Sequence, residues 1–103
     1  MGTPSLKLVD LSNASTFNDV AALRACEQLV ALSLAGCTSV KDLSPLSSLQ
    51  HLRLLHLRGL DERVIATGPP PSDTLSIDVE ITDGEAINRS LRSAVEAAEA
   101  ELP

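Results

Sequence analysis

Aromatic side chains are almost missing from this chain: Phe17 is the only one, with no tryptophan and no tyrosine in 103 residues. A core wedged by rings is therefore excluded, and base stacking on a nucleic acid is poorly served. No apolar run approaches the roughly eighteen residues needed to cross a bilayer. The start of the chain has neither a basic opening nor an apolar signal region, so a cytoplasmic protein is the default expectation, with no membrane partner. Met1-Gly2 does not complete a myristoylation signal, because Leu6 stands where that signal needs Ser or Thr. Cysteine is scarce as well. Cys26 and Cys37 show no close pairing pattern, and together with His51 and His56 they lack metal-ligand spacing, so no metal and no cofactor is expected.

Basic charge is thin and has no cluster. Residues 1 to 60 carry five basic and four acidic side chains, whereas residues 61 to 103 carry three basic and ten acidic ones. Phosphate-backbone binding is thereby disfavoured, and nucleic acid is not an expected partner.

Leucine is what the chain has in plenty, eighteen in all, and it is spaced. Sliding the chain along itself until Leu6 meets Leu29 also brings Leu29 onto Leu52. The same offset aligns Val9, Leu32 and Leu55, then Leu11, Leu34 and Leu57, then Ala14, Cys37 and Leu60. Farther along each unit, Phe17 falls on Val40, Val20 on Leu43, Leu23 on Leu46 and Cys26 on Leu49. A chain that is 44% hydrophobic would give sixteen such matches by chance on the order of once in a million trials. The unit is therefore a repeat. One unit buries too little apolar surface to offset the entropy of ordering its own backbone, so stability requires stacking.

Taken in order, Leu6 to Ser12 alternates as a short strand, and Asn18 or Asp19 is placed to cap a helical turn through Val20, Leu23 and Cys26. In the second unit Leu32-Ser33-Leu34 reads as strand, Gly36 as turn, and Ser44-Pro45 as an N-cap followed by proline in the first helical position. The third unit starts at Leu52 and loses the pattern, with Arg63 and Pro69 in apolar columns, so the repeats are expected to stop near Leu60. The division that follows is residues 1–65 as repeat, 66–74 (ATGPPPSDT) as a proline-rich linker, and 75–103 as strand plus helix. In that last part Leu75 to Ile81 alternates strictly, Thr82-Asp-Gly-Glu85 has capping-box spacing, and Ile87, Leu91, Ala94, Val95, Ala98 and Leu102 share one helix face. Its expected role is to cover the last open edge of the repeats, the alternative being an acidic docking helix for another chain.

Leu29-x-x-Leu32-x-Leu34-x-x-Cys37 resembles the leucine-rich repeat, and Val40-Lys-Asp42-Leu43-Ser-Pro45-Leu46-Ser-Ser-Leu49 is similar to the second half of its internalin-like class. The Cys-containing form of the unit, with its Leu6-to-Leu29 period, is also similar to leucine-rich repeat proteins of trypanosomatids. The resemblance spans residues 6 to 60 and departs from the pattern at Ala14 and Leu60, which leaves Cys37 as the side chain able to satisfy turn backbone. It implies an α/β fold: a short solenoid with parallel strands on the concave face, short helices on the convex face, and a C-terminal strand-helix extension. It says nothing about function.

In such a solenoid the residues between ladder leucines line the concave sheet in columns: Leu8, Ala31, Leu54; then Asp10, Ser33, His56; then Ser12, Ala35, Arg58. The middle column brings Asp, Ser and His onto neighbouring rungs. A triad needs histidine between the other two, and here serine is in the middle with Asp10 and His56 about 10 Å apart on rung spacing, so no catalytic residue is expected. All nine residues are candidates for partner binding. Leu8 and Leu54 flank small residues, and His56 and Arg58 act as polar anchors. The expected function is a non-catalytic protein-protein interaction module, a regulatory or targeting component that binds another protein on its concave face. The alternative is a structural subunit of a large assembly, docked through its ends and its acidic C-terminal helix.

Overall fold

The computed structural model describes residues 6–81 and 83–100. Four short strands, β1 (Leu8–Asp10), β2 (Ala31–Ser33), β3 (Leu54–His56) and β4 (Ser76–Asp78), form one parallel sheet in sequence order. Leu8 pairs with Ala31 and Ala31 with Leu54, so the offset found in the sequence is the register of the first three strands. β4 continues the sheet at a spacing one residue shorter, with Leu55 opposite Ile77 and His56 opposite Asp78.

Each of the first three strands ends in the same turn. Asn13, Gly36 and Gly59, themselves one repeat apart, all have left-handed backbone with φ of 65°, 76° and 86°. The turns stack through backbone bonds, Asn13 N–H to the Ala35 carbonyl and Gly36 N–H to that of Arg58. Cys37 donates its thiol to the Leu11 carbonyl at 3.0 Å, the turn contact expected of it. Burial pushes its pKa up, only partly offset by the Ala14 backbone, so the thiol stays a neutral donor.

On one side of the sheet the chain returns through 3-10 helices, Val20–Ala25 and Ser44–Ser48. Asp19 makes no side-chain cap, and Ser44 lies inside its helix rather than before it. Asp42 takes over the capping, accepting from the Ser44 N–H and hydroxyl. Those bonds hold its carboxyl below the usual range. A continuous apolar core runs between the sheet and these returns through Leu29, Leu32, Leu34, Leu43, Leu46, Leu55 and Leu57.

The packed returns do not end at Leu60. Asp61 accepts from the Arg63 N–H and starts a short helix, α1 (Glu62–Ile65), which buries Val64 against the same core. Thr67 Oγ1 then accepts from the Leu43 N–H at 2.7 Å. The first residues of the expected linker are therefore packed return. A one-turn helix replaces the 3-10 helix and shifts the apolar residue from Arg63 to Val64, which a comparison at fixed offset does not register.

α2 (Gly84–Ala100) is the longest element. Thr82, which would open the capping box, lies outside the described residues, and Asp83 accepts from the Glu85 N–H at 3.0 Å and serves as the cap. β4 covers the edge of β3. The helix expected there lies instead across the face of the sheet opposite the 3-10 helices, burying Ile87 and Leu91 against Ala31 and Ala35. The result is three layers, with the sheet between α2 and the returns.

Candidate functional site

The face under α2 is the one the three columns define. Strand side chains alternate in direction, so Leu8 and Asp10, Ala31 and Ser33, and Leu54 and His56 all project to the same side. The third column follows: the turn bonds align Ser12, Ala35 and Arg58 one rung apart. All nine predicted residues therefore share one face. They do not share exposure. Ala31, Ser33, Ala35 and His56 are buried, Leu8, Ser12, Leu54 and Arg58 are half-buried, and Asp10 is exposed. The repeat pattern predicts an open concave face; α2 covers it. The reason is the pair of apolar flanks, Leu8 and Leu54, which a bare sheet would leave in water and which instead pack, like Ile81, Ala94 and Val95 of the extension, against the cluster that Ile87 and Leu91 form with Ala31 and Ala35.

The middle column gains a fourth member that repeat spacing does not supply. Asp78, from β4, stands beside His56 and places the histidine between Ser33 and a carboxylate. The order is that of a hydrolytic triad, but the bonds are not. Ser33 Oγ is paired with Ser12 Oγ at 2.7 Å, and Ser12 Oγ donates to Asp10 Oδ1 at 2.6 Å. His56 Nδ1 is 3.9 Å from Asp78 Oδ1, beyond hydrogen-bond reach, and Nε2 has no partner. The serine hydroxyl thus has no base attached to it. Sequence reasoning misses Asp78 because its strand is offset by one residue from the repeat. The alternation of Leu75 to Ile81 is the signal that could have found it.

Two titrations are shifted here. Burial pulls the His56 pKa below its ordinary value, against the attraction of Asp78 and Asp10. Burial alone would raise the Asp78 carboxyl, but the N–H groups of Ile81 and Glu80, and His56 itself, hold it below its ordinary value.

At the N-terminal margin of the strands, Lys7 reaches Glu99 of α2 at 3.4 Å. A small hollow of about 120 Å³ beside this pair is lined by Val30, His51 and Arg53 from the sheet side. At the opposite margin Asp10 and the first turns of α2, Glu85, Asn88, Arg89 and Arg92, line an open cleft of about 390 Å³. A hollow of about 670 Å³ adjoins the first one at Gln28 and His51 and is lined by Arg24 and Glu27 on one return and Ser48 and Gln50 on the next. Its polar lining residues are all exposed. Among the described residues there is no group of three or more His, Cys, Asp or Glu that could hold a metal ion, and no helix is long and apolar enough to cross a membrane.

Compared with family models, with curated proteins and with solved structures, the chain matches none of them.

Proposed function

We propose that this chain is a short leucine-rich-repeat solenoid acting as a non-catalytic, cytoplasmic protein-recognition module, whose concave face takes an amphipathic helix of a partner in place of α2. The observation that carries this reading is the seating of Ile87 and Leu91 on Ala31 and Ala35. A surface that accepts one amphipathic helix states the chemistry of any helix that competes for it. Such a helix has bulky apolar residues at i and i+4, as in Ile87 and Leu91, followed by small or branched ones such as Ala94 and Val95. Acidic side chains toward its C-terminal end would meet Lys7, as Glu99 does. A catalytic role has less support, since Ser33 is bonded to Ser12 and not to His56.

The test is to lock α2 in place. Lys7 and Glu99 meet at the tips of their long side chains, so a Lys7→Cys, Glu99→Cys pair can be joined by a short reducible crosslinker, a bis-methanethiosulfonate that spans more than a direct disulfide does. Affinity capture from the source cell, with the pair closed and then reduced, should lose a helical partner when locked and recover it when opened. Capture unchanged by locking would sink the concave-face reading. It would favour the second one, a structural subunit docked from outside, which is supported by the exposed apolar Leu6 and Val79 on the outer strands' flanks.

A further inference from the structure

His56 is a titratable group that the recognition reading does not use, and its setting is unusual. It lies on the α2 side of β3, is 1% exposed, and carries a ring nitrogen, Nε2, with no hydrogen-bond partner. A buried polar atom left unpaired costs free energy, and few native groups are left so. The charged groups around it can be named element by element. β4 presents Asp78 at 3.9 Å, already accepting from the Glu80 and Ile81 N–H groups. β1 contributes Asp10, two rungs away and engaged by Ser12. The turn after β3 carries Arg58, whose Nε is likewise buried without a partner. β2 offers the uncharged Ser33. From the helical layer Glu85, Arg89 and Arg92 gather around Asp10, and the connection adds the exposed Glu80 and Asp83.

We propose that His56 is an acid-sensitive latch: α2 stays seated while the imidazole is neutral and is released when the imidazole takes up a proton. With α2 down, a proton on His56 would sit in a buried site beside Asp78, whose carboxylate is already committed to other donors, with Asp10 two rungs away and likewise engaged. Burial outweighs their attraction and disfavours the charged form. With α2 lifted, the ring is hydrated and titrates near its ordinary value of about 6.5. The sign follows from linkage. The seated state binds the proton more weakly than the open state, so the open-to-seated ratio is constant well above pH 6.5 and rises as pH falls below it. The rise is up to about tenfold per pH unit, until the seated form also protonates. Asp78, held below its ordinary value, stays ionised throughout this window. As regulation of the recognition surface the latch rests on the reading above, but release of α2 is measurable with no partner present.

The chain has no tryptophan or tyrosine, so a single Val95→Trp substitution on the sheet side of α2 reports seating without background. Its emission in the full chain should shift to the red between pH 7.5 and 5, with a midpoint below 6.5, and the shift should vanish when His56→Gln is added. A flat wild-type response, or the same shift in the His56→Gln protein, overturns the latch. Should His56→Gln fail to fold, imidazole NMR on the unsubstituted chain decides. The His56 signals and the α2 amides must then move at one common midpoint, and separate midpoints overturn the proposal. If locking α2 leaves partner capture unchanged while the tryptophan shift persists, the recognition reading falls and the latch stands.

Discussion

The turn after each strand shows how one residue sets a local shape. Gly36 and Gly59 occupy equivalent left-handed positions, yet they are not equally replaceable. A Cβ on Gly59 would meet nothing closer than the Gly36 backbone at 3.7 Å, whereas on Gly36 it would lie 2.6 Å from Asn13 Oδ1 and 3.2 Å from Asn13 Cα. The amide oxygen can swing aside, but the Asn13 backbone is pinned by its bond to Ala35. Gly59→Ala should therefore cost only the left-handed backbone, about 1–2 kcal/mol, and Gly36→Ala should cost more than Gly59→Ala. Urea denaturation of the two variants side by side checks the order, and equal losses would contradict the stacked-turn account. Gly36 is legible as a turn from the sequence. The equivalence of Asn13 with the two glycines is harder to see, because asparagine reaches that backbone region by a different route from glycine.

At the scale of elements, the sequence locates the strands well and the helices' neighbours badly. The columns Leu8, Ala31, Leu54 and Asp10, Ser33, His56 are real registers because the repeat period leaves a parallel sheet no other alignment that buries its leucines. β4 is legible in the alternation of Leu75 to Ile81, but α1 and the register of β4 against β3 escape, because the third return is built on a one-turn α-helix and a step one residue shorter. For α2 the apolar stripe announces that one face is buried, and nothing in the stripe says against what. Its energetics give a sharper test. Ile87 and Leu91 are the fully buried anchors of the helix, so Ile87→Ala or Leu91→Ala should each remove roughly 2–4 kcal/mol of docking energy. The loss should appear first as faster amide exchange within Gly84–Ala100 and as dye binding to the uncovered Leu8 and Leu54, with the strands still protected. Uniform loss of protection would mean that α2 is not a separable layer.

Across the whole molecule, the two faces of the sheet are unequally cemented. The core on the returns side joins leucines from every repeat with Val64 and Leu75, while the core on the α2 side rests on Ala31, Ala35, Ile87 and Leu91 with half-buried neighbours. Two of those four are alanines, and alanine contributes little area to bury. A thin second core also covers an imidazole with an unpaired nitrogen, which lowers the cost of opening it further. The molecule should thus unfold in two steps, α2 leaving before the sheet comes apart, although small domains usually unfold in one. In a urea titration at pH 7, the emission of the Val95→Trp protein should change at a lower midpoint than the exchange protection of β2 and β3 amides. Lowering the pH to 5.5 should move the first midpoint down and leave the gap between the two wider. Coincident midpoints at both pH values would make α2 an integral third layer, and the sheet face beneath it would then be reachable only by global unfolding, which no partner helix could exploit at ordinary concentrations.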